Sequence, residues 1–153
     1  MKIDISDLLC HKFAFLAKTN ARVIDAQMNQ FDLSRTQWKV LLRFNFLPIP
    51  CTQQQLLKSV DIDRAHLTRT LDQLEQRKLI TRTRLSHDKR AFNISPTLKG
   101  KELLKKMEQI MRDESNAMIK GINEKEIQLL DKLIHKVTAN ILNELGEKYE
   151  DHL

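Results

Sequence analysis

Apolar residues recur along most of this chain at the three- and four-residue spacing of helices, and one stretch breaks that rhythm. Ile5, Leu8, Leu9, Phe13, Leu16, Val23, Ile24 and Met28 predict a first helix over Asp4 to Gln30 that is apolar on more than one face. Such a helix must pack on something large, a second chain included. Ser34 and Gln37 form a capping-box pair and open a second helix carrying Trp38, Val40, Leu41, Leu42 and Phe44, which Pro48 and Pro50 are expected to stop. Cys51 and Thr52 predict a very short strand. Thr52 with Gln55 repeats the box and predicts a helix from Gln53 to Ser59. Asp63 is an N-cap for a helix from Arg64 to Arg77, in which Leu67, Leu71 and Leu74 share one face.

After Leu79 the period changes. Leu79 to Leu85 sets Ile80 against charged Arg82 and Arg84, as a half-exposed strand does. Ser86, His87, Asp88 and Lys89 make the turn, and Ala91 to Ile94 return. Helical spacing then resumes. Ser95 as N-cap and Pro96 at the first helical position start a long helix with Leu103, Met107, Ile110, Met111 and Met118, which Gly121 ends. Asn123 and Glu126 open a last helix with Ile127, Leu130, Leu133, Ile134, Val137, Ile141 and Leu145 along one face. Two short capped helices followed by two strands is the element order of a winged helix-turn-helix, whose usual task is to grip duplex DNA.

Charge sharpens this. The chain carries a net +6, and Arg64 to Arg90 holds eight cations against three carboxylates, a net +5. The basic excess is local and sits where a groove reader needs it. An acidic partner follows, nucleic acid first and an anionic membrane surface second. Composition fits a mainly helical single domain, with 5% aromatics and three each of Gly and Pro in 153 residues.

Other chemistry finds no footing. Cys10 and Cys51 make neither a CxxC motif nor a disulfide framework. Lys2, Asp4 and Asp7 interrupt the first apolar residues, so no signal peptide is expected, and no apolar run of membrane length exists. A cytoplasmic protein with free thiols is the expectation. His11, His66, His87, His135 and His152 fit no zinc spacing, and no phosphate loop or hydrolase motif occurs. Cys10 and His11 are adjacent, which on a helix turns them about 100° apart and spoils a nucleophile pair. No metal, cofactor or enzymatic activity is expected.

The candidate site divides in three. Arg64, Ala65, His66, Thr68 and Arg69 lie early in the Asp63-capped helix, opposite its leucines, where a recognition helix meets base edges. Arg69 suits guanine O6 and N7, His66 a base or phosphate, and Thr68 a thymine methyl or phosphate oxygen. Arg82, Arg84, Lys89 and Arg90 are expected on phosphates and in the adjacent minor groove, with Asp88 orienting Arg90 or Arg82. Thr52, Gln53 and Gln54 open the preceding helix and suit phosphate. The rival reading is a winged-helix interaction module whose basic face meets an acidic protein.

LSRTQW (Leu33 to Trp38), TQQQLL (Thr52 to Leu57), LTRTLDQLEQRKLITR (Leu67 to Arg82) and DKR (Asp88 to Arg90), followed by Ile94 and Gly100, together resemble the MarR family of bacterial transcription regulators, most of all its SlyA branch. The resemblance spans nearly the whole chain. It implies a single domain over residues 1–153, mainly α with a small β-hairpin wing. Residues 33–96 would be the winged helix-turn-helix. Residues 1–30 and 97–153 would be dimerisation helices of a homodimer that reads a pseudopalindromic operator in double-stranded DNA. It carries the family's wing pair onto Asp88 and Arg90, and a SlyA-branch contact onto Arg69. It further implies a small aromatic acid as effector near Lys18, Thr36 and Trp38, and, from peroxide-responsive relatives, a redox role for Cys10. Those relatives bring tyrosines to the thiol; this chain has Tyr149 alone. Lys78 departs from the family's glycine, at a cost of roughly 1 kcal/mol if that position is left-handed. Ser95 and Pro96 depart from the usual Leu-Thr.

Overall fold

The computed structural model describes residues 5–84 and 92–146; the expected turn, with Asp88, Lys89 and Arg90, lies outside them. In order come α1 (Ile5–Met28), a 3-10 turn (Asn29–Phe31), α2 (Arg35–Leu42), a second 3-10 turn (Arg43–Asn45), β1 (Cys51–Thr52), α3 (Gln53–Ser59), α4 (Arg64–Gln76), β2 (Ile80–Arg84), β3 (Phe92–Pro96), α5 (Leu98–Met118) and α6 (Glu124–Glu144). The chain divides into two compact units, Met1–Asp113 and Glu114–Leu153.

In the first unit the helix starts follow local chemistry. The Ser34 and Thr52 capping boxes are both formed, and Asp63 Oδ1 accepts the His66 N–H at 2.8 Å. The end of α2 differs from expectation. The helix tightens into a 3-10 turn at Arg43, well before Pro48, with Phe44 buried in the core. The end of α4 is a Schellman closure: the N–H of Lys78 bonds the Glu75 carbonyl at 2.8 Å and that of Leu79 bonds the Leu74 carbonyl at 2.9 Å. Lys78 takes φ +58 to make it, the left-handed backbone that glycine adopts most readily.

The sheet order is β1-β3-β2, all antiparallel, with Cys51 opposite Ile94, Ile80 opposite Pro96 and Arg82 opposite Ile94. This corrects two expectations. Ser95 and Pro96 do not open a helix; they complete β3, and α5 begins at Leu98. Proline is tolerated there because β1 is two residues long and its pairing ends at Ile94, so no ladder bond on that edge needs a donor at position 96. Thr97 does the capping instead. Its hydroxyl oxygen accepts the Gly100 N–H at 3.1 Å and donates to the Lys78 carbonyl at 2.7 Å. Gly100 is there for closeness: a Cβ would stand 2.0 Å from the Leu79 carbonyl oxygen.

One core serves this unit. Leu56 from α3, Leu67, Leu71 and Leu74 from α4, Ile80 and Ile94 from the sheet, Val40 and Leu41 from α2, and Met107 from α5 are all essentially inaccessible. Ile24 and Met28 bring the end of α1 into it. Arg77 reaches back to the same corner, donating to the carbonyls of Phe31 and Asp32. Toward its start α1 is different, with Leu8, Leu9, Phe13, Phe15 and Leu16 exposed.

In the second unit Gly121, at φ +84, follows α5, and the Asn123 capping box opens α6. Helix α6 buries no residue, and Leu129, Leu130, Leu133, Ile134 and Ile141 are exposed. No helix among the described residues is long and apolar enough to cross a membrane.

Candidate nucleic-acid interface

The leucine face of α4 is sealed in the core, so its other face is fixed by default. Arg64, Ala65 and Arg69 are exposed, while His66 and Thr68 are half-buried. Asp63 holds the helix start, and the hydrogen bond from the His66 N–H keeps its carboxyl below the usual carboxylate range. Thr68 is already committed: its hydroxyl donates to the Arg64 carbonyl at 2.9 Å and accepts from Gln53 Nε2 at 2.8 Å. That bond ties the first residue of α3 to the exposed flank of α4. It leaves the Thr68 methyl and the second Gln53 amide proton for other partners. On the other side, Gln37 Nε2 donates to Gln73 Oε1 at 2.9 Å and links α2 to α4.

Of the residues that open α3, Thr52 is spent on its cap, with its hydroxyl oxygen accepting the Gln55 N–H at 3.2 Å. Gln54 is exposed. The structure thus brings Gln53, Thr68, Arg64 and Arg69 into one neighbourhood.

Arg82 stands differently from the phosphate contact expected of it. Side chains 80, 82 and 84 share one face of a strand. Ile80 faces the core, so Arg82 follows it toward α4 rather than opposing it. There Arg82 pairs with Asp72 and Glu75, at 2.6 and 2.5 Å. The hydrogen bond to Glu75, ahead of that to Asp72, holds the guanidinium's pKa above its ordinary value. Arg84 is exposed and has no ion pair among the described residues, and both arginines lie about 6 Å from the Phe92 ring centre, at 5.9 and 6.0 Å. Among the described residues Asp72 and Glu75 orient Arg82, and the role expected of Asp88 lies outside them. Sequence reasoning missed these two, although carboxylates at i and i+3 on a basic helix were a visible signal.

The effector residues are placed apart in character. Trp38 is core, 7% exposed, and its indole N–H donates to Asp25 Oδ1 at 3.2 Å. Arg35 bonds the other Asp25 oxygen, and that bond, more than the one from Trp38, holds the Asp25 carboxyl below its ordinary range. Thr36 is half-buried and Lys18 exposed. Cys10 is an exposed thiol; Cys51 is buried, and burial pushes its pKa up to about 11. Among the described residues no group of three or more His, Cys, Asp or Glu could hold a metal.

Residues 33–92 match the MarR family. Among solved structures the chain is similar to the transcriptional regulator PA3341, at 29% identity, with 88% of this chain and 98% of that one covered and a TM-score of 0.77. It is also similar to an uncharacterized SlyA-like transcription regulator from Listeria monocytogenes (24% identity, 98% and 99% covered, TM-score 0.71). A third is MepR of S. aureus, solved as a DNA complex (21% identity, 91% and 99% covered, TM-score 0.77). The winged segment at residues 33–92 thus matches the MarR family, and the fold is similar to that of solved MarR- and SlyA-type regulators.

Proposed function

We propose that this protein is a sequence-specific, double-stranded-DNA-binding transcription regulator that acts as a homodimer on a pseudopalindromic operator. The observation that carries this reading is the exposure of Arg64 and Arg69 in the first half of α4, whose Leu67, Leu71 and Leu74 are buried, inside a segment that matches the MarR family. Gln53, held by Thr68, and Gln54 flank that face for phosphates, and Lys89 and Arg90, with Asp88, are the wing contacts that the resemblance supplies. The exposed apolar rows of α1 and α6 support a second copy as the missing partner, since rows that large rarely face water on a monomer. Two-fold symmetry then asks for two half-sites. A small aromatic acid as effector follows from the resemblance, and a cytoplasmic location is consistent with it.

Titration against duplex DNA from the chain's own promoter region, at several salt concentrations, tests the reading. Tight binding with a steep negative dependence on salt is expected, because lysines and arginines displace counterions. Arg69→Ala should relax base preference at one position per half-site, by roughly 1–3 kcal/mol. Binding no tighter than to random duplex overturns the assignment. A stable monomer at micromolar concentration, by sedimentation, overturns the dimer.

A further inference from the structure

A DNA-reading helix is an unfavourable place for carboxylates, because phosphates surround it. Asp72 and Glu75 nevertheless lie one turn apart on α4, and both turn toward a single guanidinium. Arg82 Nη2 donates to Asp72 Oδ1 at 2.6 Å and to Glu75 Oε2 at 2.5 Å, and Nε donates to the same Glu75 oxygen at 2.9 Å. The Arg82 backbone N–H adds a bond to Glu75 Oε1 at 3.2 Å, so both oxygens of Glu75 are taken by one residue. The cation is the enclosed member: its side chain is 19% exposed, against 46% for Asp72 and 38% for Glu75. On its strand-neighbour side it lies over Phe92 of β3. One residue therefore ties β2 to α4 with charge-assisted bonds in a fixed fork, the kind that sets orientation as well as energy, and rests on a ring of β3.

We propose that Arg82, Asp72 and Glu75 are positioning residues for DNA reading, which hold the β2–β3 ribbon at one angle to the recognition helix so that both meet the duplex together. This rests on the regulator reading above. The arrangement has an unusual sign. Arg82, though basic, makes no phosphate contact, and Asp72 and Glu75, though acidic, favour DNA binding.

Glu75→Gln and Asp72→Asn test that sign. Each removes a negative charge from the face that meets DNA, and each is expected to weaken operator binding, on the order of tenfold for one lost charge-assisted bond. Tighter binding, the result of relieved repulsion, overturns the proposal. Arg82→Ala should weaken binding while leaving the salt slope of the wild type; a slope lower by about 0.9 identifies Arg82 as a phosphate contact and overturns it. Arg82→Lys keeps the charge and loses the fork, so wild-type affinity in that variant also overturns it. All binding is read below each variant's melting temperature, so that lost folding is not counted as lost affinity. Hydrogen exchange gives a second readout that needs no DNA: amides of β2 and β3 should exchange faster in Arg82→Lys and Glu75→Gln, and unchanged protection refutes the anchoring. A wild-type chain that prefers no duplex overturns the regulator reading, while the exchange measurement still decides the anchor.

Discussion

Helices α4 and α6 start with equally good local chemistry and end in opposite situations. Asp63 caps α4 through the His66 N–H, and Asn123 caps α6 in a full capping box. Both carry leucines at helical spacing. In α4 those leucines, Leu67, Leu71 and Leu74, are wholly buried, whereas in α6 no residue is buried and Leu133 stands 49% exposed. The winged segment closes its core with the end of α1 and part of α5, whereas α6 leaves its apolar row uncovered. Capping and periodicity decide that a helix forms, and only the neighbouring elements decide whether its apolar face is satisfied within one chain.

The largest expected effect sets these two helices directly against each other. Leu71→Ala should cost about 2–5 kcal/mol, because it empties a filled site, and melting of the winged unit should show it. Leu133→Ala should cost far less in a dilute, monomeric sample and should instead weaken self-association in sedimentation. Equal losses of stability with no change in association would erase the contrast. Next comes Gly100→Ala. With the Leu79 carbonyl in the way of a Cβ, α5 must shift from the end of β2, at about 1–3 kcal/mol, the usual cost of overpacking. A melting temperature within a degree of wild type would show that the helix start gives way freely.

A gain is expected at the closure of α4. Lys78→Gly relieves a left-handed lysine and should raise stability by about 1 kcal/mol, less the entropy glycine adds to the unfolded chain. Reduced stability would mean that the Lys78 side chain does more than tolerate its backbone. Smallest is the tie between α1 and α2. The Asp25 carboxyl is held below its ordinary pKa by Arg35 first and Trp38 second, so it contributes stability above about pH 4 and loses it as pH falls through the folded value. Asp25→Asn should therefore lower the melting temperature near neutrality, and the gap from wild type should close in acid. A gap that widens in acid would refute this.

The helix starts were legible because a cap is a bond between residues three apart. Ser34 with Gln37, Thr52 with Gln55 and Asn123 with Glu126 all formed as their spacing predicts. Two boundaries were not legible. Pro48 and Pro50 suggested the end of α2, but Phe44 entering the core turned the helix earlier. Ser95 and Pro96 have the local look of a helix start; pairing with Thr81 and Ile80 kept them in the strand and passed the cap to Thr97. Arg69 of the candidate site could be placed in advance because Leu67 and Leu71 define the opposite face, and Arg64 because it opens the helix. Arg82 could not be assigned by its charge, and only the shared face of Ile80 and Arg82 hinted at its direction.

By itself, then, the sequence determined the order of elements, their capped starts, the apolar face of each helix and the concentration of positive charge between Arg64 and Arg90. All of these rest on interactions within a few residues or on simple periodicity. The tertiary structure alone decided which charges are free and which are spent. Arg69 and Arg84 are exposed, whereas Arg82 is drawn between Asp72 and Glu75, because the partner of a charged side chain is set by which strand lies beside which helix, and no spacing along the chain records that.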